Sequence, residues 1–223
     1  MPLKIILSKV SDGSMKPIDI NNQISVLATR KIFLQKNGME PDNTTLVKID
    51  YSTNNYKKYI TIDNETKGEG IISEYPMTAD ALIVTQKNHA LFLPLADCIG
   101  AVLFIESKNI LMLSHLGRHS LEQFGGTESV NYLIDNFDIA PSDISIWLSP
   151  SAGKENYPLT ALCDRSLQEV AIEQFVEAKI PINNINKSSI DTTTDENYFS
   201  HSQFLKGRQE TDGRFAIAAI IED

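Results

Sequence analysis

Ala96-Asp97-Cys98 sets a carboxylate and a thiol at the end of an otherwise apolar run. Seventeen positions after the thiol, His115 opens the stretch His115-Leu116-Gly117-Arg118-His119, which adds a second imidazole and a guanidinium. A thiolate and an imidazole are zinc ligands of matching softness, and a catalytic zinc would need a third ligand and an open position. The same two groups could act without metal, His115 lowering the pKa of Cys98 and leaving it as a nucleophile. A packed, inert pair is the third reading, because unpaired cysteines are often buried filler. A carboxylate beside such a pair is costly to bury alone, so Asp97 is expected either to orient His115 or His119 or to satisfy backbone amides.

Two strand-like runs must position the pair. IGAVLFIE and NILMLSHL read as neighbours joined by a hairpin at Ser107 to Asn109, and the midpoint of positions 98 and 115 falls between 106 and 107. Residues equidistant from such a turn face one another across antiparallel strands, so Cys98 is expected opposite His115.

The remaining elements follow from periodicity. Ile24, Leu27, Lys31 and Leu34 fall at helical intervals before the stop signals Gly38 and Pro41. TTLVKIDY, KKYITI, DALIV and ALFLPLA read as strands. Residues 119–137 turn helical, with Ser120 or Thr127 as caps and Val130, Leu133, Ile134 and Phe137 as the apolar stripe. SDISIWLS reads as a strand, and a helix follows in which Leu167, Val170, Ala171 and Phe175 share a face behind a cap at Asp164. The chain closes with strand NKSSID, a short helix within DENYFSHSQFLKGRQ and strand RFAIAAII. Strands outnumber helices without regular alternation, which points to an α/β sandwich with a mixed sheet rather than a doubly wound nucleotide fold.

With 223 residues and 42% hydrophobic content, the chain can bury one sizeable core, and residues 1–223 are read as a single domain. The net charge of -9 and the absence of a dense Lys/Arg block give no support to a nucleic-acid or anionic-membrane partner. No apolar run approaches the ~18 residues of a membrane span and the start does not read as a secretory leader, so a cytoplasmic protein is expected, a monomer or small homo-oligomer. In that reducing compartment, the two cysteines favour filler, nucleophile or ligand roles over a disulfide. Cys163 is read as structural and His89 as a solvated turn residue.

TADALIVT, LADC and SHLGRHS resemble successive signatures of the laccase-domain family, variously called multicopper polyphenol oxidases, purine nucleoside phosphorylases of the laccase-domain type and peptidoglycan editing factors. Asp80, Asp97, Cys98, His115 and Gly117 match its motifs. Weaker echoes in ATRKIFLQKNG, LSPSAGKENY and YFSHSQFLKGRQETDGRFAIAAI extend the resemblance over about residues 22–221.

The resemblance implies a four-layer α/β/β/α arrangement and a Cys/His/His zinc site that serves phosphorolysis of purine nucleosides or deamination of adenosine. Four histidines fall short of the roughly ten that a multicopper oxidase needs at several coordinated centres. Where the family carries its first zinc histidine, LVKIDYS offers Asp50, so the expected metal ligands are Asp50, Cys98 and His115. Its alternative reading is a solvated strand-end residue. Asp97 and His119 are candidate proton carriers, and Arg118 stands where the family has an aromatic residue. Arg118, His201, Arg208 and Arg214 are candidates for holding nucleoside and phosphate. The competing readings are a metal-free Cys98-His115 hydrolase of the peptidoglycan-editing type and a non-catalytic relative.

Overall fold

The structure, a computed structural model, describes residues 3–17 and 23–223. β1 (Leu3–Leu7), β2 (Thr44–Lys48), β4 (Met77–Thr78), β6 (Ala90–Leu95) and β11 (Phe215–Ile221) form a mixed sheet in the order β1-β11-β6-β2-β4. A second mixed sheet takes β3 (Tyr59–Thr61), β5 (Ala81–Val84), β7 (Ile99–Ile105), β8 (Ile110–Leu116), β9 (Ser145–Leu148) and β10 (Ile185–Lys187), in the order β10-β9-β7-β8-β5-β3.

Both sheets are covered on both faces, so their strands are apolar throughout and alternate residues serve different layers. Leu91, Leu93 and Leu95 of β6 meet Val102 and Phe104 of β7 and Leu111 and Leu113 of β8 between the sheets. The intervening Ala90 and Phe92 turn outward with Ala216 and Ala218 of β11 toward Phe33 and Leu34 of α1 (Gln23–Lys36). On the far side, Ala101 and Leu103 of β7 pack with Val130 and Leu133 of α3 (Gly125–Phe137) and Val170 and Phe175 of α4 (Leu167–Glu177). The layers run α/β/β/α, as expected.

Several local expectations are corrected. Helix α1 buries Val26, Arg30, Phe33 and Leu34, whereas Ile24 is 78% exposed. The expected stripe was rotated because a buried arginine interrupts the true one; residue 22, where the family resemblance was expected to begin, lies outside the described residues. The 119–137 helix divides into α2 (Arg118–Glu122) and α3, since Phe124 adopts φ 62 between them. Ser120 and Thr127 cap neither. A Cβ on Gly125 would fall 2.0 Å from Ser120 Oγ, so only glycine lets the chain turn there. Ser166, not Asp164, caps α4: its hydroxyl accepts from the Glu169 amide while the Glu169 carboxylate accepts from the Ser166 amide. Strand β1 was not anticipated.

Candidate functional site

The acidic interruption is a change of sheet. After Leu95 the chain leaves the five-stranded sheet, and at Ile99 it enters the six-stranded one. Asp97 makes the corner with φ 73, a left-handed conformation that aspartate tolerates better than most residues. Its buried carboxylate accepts from Thr192 Oγ1 at 3.0 Å and from the Ser202 amide at 2.7 Å. Its carbonyl accepts from the Ala152 amide. Of the two roles expected for Asp97, the structure shows the backbone-satisfying one, and no hydrogen bond joins it to His115 or His119 among the described residues. The bond to Ser202 pins the first turn of α5 (His201–Leu205) against the corner.

The hairpin register differs from the expected one by one diagonal step. β7 and β8 pair Ile99 with Leu116 and Gly100 with His115, so Cys98 is level with Gly117. Period-two alternation then places Cys98 and His115 on the same face, toward the space between the sheets. Both flank Gly117: a Cβ there would fall 2.8 Å from Cys98 Sγ and 2.9 Å from His115 Cε1. Gly100 is bare because a Cβ there would lie 2.7 Å from Ile217 Cγ2 of the other sheet. Burial pushes the Cys98 thiol up to about 12, with the Asp97 charge adding to the effect, and pulls His115 down to about 4. The resting pair is thus a neutral thiol beside a neutral imidazole, which does not favour a free thiolate nucleophile.

Asp50 is not with them. It is exposed, its carboxylate accepts from the amide and hydroxyl of Ser52, and it borders a separate cavity of about 420 Å³ alongside Asp80 and Tyr59. From the same segment it is Tyr51 that arrives, its hydroxyl 3.4 Å from His115 Nε2 and its ring edge-on to the imidazole. Among the described residues, no group of three or more His, Cys, Asp or Glu side chains is arranged to hold a metal ion. The residues therefore do not fit the three-ligand zinc cage that the resemblance implies. His115 Nδ1 is buried without a hydrogen-bond partner, leaving a polar atom beside the cavity unsatisfied.

Cys98 and His115 line one wall of a cavity of about 660 Å³, a size suited to a small molecule with an aromatic ring. Arg118, His119, His201 and Arg214 also line it, and Arg208 does not. Arg208 is exposed, with Nη1 3.5 Å from Gln203 Oε1. His119 stacks on Tyr56, ring centroids 5.2 Å apart and planes at 12°, and lies 3.3 Å from Arg118 Nη2. Helix α2, which His119 was expected to open, has only five residues and begins at Arg118.

Sequence reasoning missed Tyr51, Tyr56, Tyr157 and Arg30 in this wall. Arg30 had a legible signal: it lies four residues after Val26 and three before Phe33, inside the buried stripe of α1. Its Nε donates to the Met15 carbonyl at 2.9 Å and Nη1 to the Gly70 carbonyl at 2.7 Å. Burial lowers its pKa to about 10. The tyrosines carry no comparable signature, because loops deliver them. Burial raises the pKa of both Tyr51 and Tyr157, with the Cys98 charge as the next cause.

Two other residues depart from expectation. His89 is fully buried rather than solvated, with Nε2 2.7 Å from Thr45 Oγ1 and Nδ1 3.2 Å from Gln86 Nε2. Cys163 is exposed, at φ 61.

Residues 18–172 match the family model described as multi-copper polyphenol oxidoreductase laccase, and the chain belongs to that family. Its fold is that of three solved structures. These are the hypothetical protein YfiH of Bacillus licheniformis (TM-score 0.84, 16% identity, 99% of this chain and 93% of that one), YlmD of Geobacillus stearothermophilus (0.85, 17%, 100% and 93%) and NMB0706 of Neisseria meningitidis (0.73, 12%, 100% and 95%). No curated protein matches the sequence. Among the described residues, no helix is long and apolar enough to cross a membrane.

Proposed function

We propose that the chain is a purine nucleoside phosphorylase whose site is the cavity between the sheets at Cys98 and His115. The observation that carries the reading is the lining itself: Arg118 and Arg214 share one cavity with Tyr51, Tyr56 and Tyr157 and with three histidines, His115, His119 and His201. Guanidinium groups offer forked donors to a phosphate, and tyrosine rings offer flat apolar surface to a purine.

In this reading, Arg118 and Arg214 hold phosphate against the sugar, the tyrosines bind the base, and a histidine carries the proton that the leaving base requires. Cys98 and His115 shape the floor, with His115 Nε2 beside the Tyr51 hydroxyl. Deamination would call for an activated water, for which these side chains supply no three-ligand cage, so adenosine is expected to give adenine rather than inosine.

The test is chromatography of inosine, adenosine and guanosine incubated with purified protein, with and without orthophosphate. Free base formed only with phosphate supports the reading, and unchanged nucleosides, or base release indifferent to phosphate, overturn it.

A further inference from the structure

The carboxylate of Asp212 holds two side chains of the cavity wall at once. Its Oδ1 accepts from Nδ1 of His201 at 2.8 Å and from Nη1 of Arg214 at 2.6 Å, while Oδ2 lies 3.5 Å from Arg214 Nη2. Each captive is fixed from a second side. Arg214 Nη1 also reaches the Gly213 carbonyl at 2.7 Å, and the Arg214 backbone amide donates to Ser14 Oγ. His201 begins α5, whose next amide, that of Ser202, is bound by the corner carboxylate of Asp97. With Nδ1 committed to a carboxylate, the proton of a neutral His201 is on Nδ1, and Nε2 is left as an acceptor. His201 and Arg214 both line the cavity, whereas Asp212 does not.

We propose that Asp212 is a positioning residue: it fixes His201 in the Nδ1–H tautomer and ties it to Arg214, so that a proton acceptor and an anion ligand stand side by side. What this achieves rests on the phosphorolysis reading. Hydrogen phosphate, held by Arg214, forms a bond from oxygen to the anomeric carbon of the sugar as the bond from that carbon to the base breaks, its electron pair leaving with the base. The proton of the phosphate passes to Nε2 of His201. Asp212 stabilises the resulting imidazolium, which returns the proton to the departing base. The products are a sugar phosphate and a neutral base, with no change of oxidation state.

The experiment combines side-chain ¹⁵N NMR of the histidines with steady-state kinetics on the full chain, for wild type, Asp212→Ala, Asp212→Asn, His201→Gln and the double variant Asp212→Ala/His201→Gln. The wild-type His201 proton is expected on Nδ1, and on Nε2 in Asp212→Ala. The kcat of Asp212→Ala is expected to fall about 100-fold, the low end for a proton-transfer group, with nucleoside KM within about twofold. Asp212→Asn retains an acceptor oxygen and the fold, and is expected to keep the tautomer with a smaller loss. Because Asp212 acts through His201, the double variant should have the kcat of His201→Gln alone. An unchanged tautomer in Asp212→Ala, or a full further loss in the double variant, overturns the proposal. If wild type cleaves no nucleoside, the phosphorolysis reading falls, and the tautomer still decides whether the clamp exists.

Discussion

At the scale of single residues, Gly117 has no room for a side chain. Sulfur and imidazole already occupy the room that a methyl group would need, so Gly117→Ala must push Cys98 or His115 aside. The expected cost is about 1–3 kcal/mol of stability, as for other overpacked sites, together with loss of ligand binding. Thermal unfolding and titration with inosine measure the two effects, and a variant of wild-type stability and affinity would show that the pair is not as tightly opposed as described.

His89 makes a separate residue-scale prediction because it lies away from the cavity. The Thr45 hydroxyl donates to the Thr66 carbonyl, so it accepts from His89 Nε2–H, and Gln86 donates to Nδ1. Both nitrogens are satisfied only in the neutral ring. Burial holds its pKa at about 4, below the ordinary 6.5. The unfolded chain then takes up this proton first as pH falls, so the stability that His89 contributes is complete above about pH 6.5 and is lost progressively down to about 4, a change of about 3 kcal/mol. Urea unfolding from pH 7 to 4 is expected to show this slope in wild type and a shallower one in His89→Gln. Equal slopes would mean that other groups carry the acid sensitivity.

The elements show why part of the site was legible and part was not. Sequence spacing found Cys98 and His115 because both sit at ends of one hairpin, where a local count of positions carries over to space. It erred by a diagonal step, since the turn is centred one residue later than symmetry about 98 and 115 assumes, and strand periodicity still kept both side chains on one face. It did not see that β6 and β7 belong to different sheets. Nothing in two adjacent apolar runs distinguishes a hairpin from a crossover, and the corner at Asp97 becomes visible only through its bonds to the distant Thr192 and Ser202. Asp50 was taken as the residue nearest the place of the family's first zinc histidine, whereas the loop after β2 brings the hydroxyl of the otherwise exposed Tyr51 to His115.

The contact between sheets provides the test at this scale. Gly100 faces Ile217 so closely that Gly100→Val would lever β7 away from β11. The expected cost is at least about 2 kcal/mol in thermal unfolding, as for core overpacking at the upper end. A neutral effect would contradict the close approach of the two sheets behind His115.

At the scale of the whole molecule, a chain of net charge -9 surrounds its cavity with Lys16, Lys48, Arg30, Arg118 and Arg214. Against the carboxylates Asp97 and Glu74, these cations give the lining a sign opposite to that of the whole chain, the sign that the proposed phosphate requires. The apolar runs of the covered strands pointed to an α/β sandwich, and the family resemblance supplied the four α/β/β/α layers that the structure shows. The cationic character of the cavity was only half legible, since it is assembled from the segment before α1, α1 itself, the end of β2, the start of α2 and the residue before β11.

The phosphate is therefore the most direct probe, and ³¹P NMR of purified protein with inosine and orthophosphate follows it through the reaction. A sugar-phosphate ester signal should grow as orthophosphate declines in wild type, and fall at least tenfold in rate in Arg118→Met and Arg214→Met, about the loss of one charged hydrogen-bond partner. Orthophosphate that stays unchanged beside inosine in the wild-type protein would contradict the function assigned to this cavity.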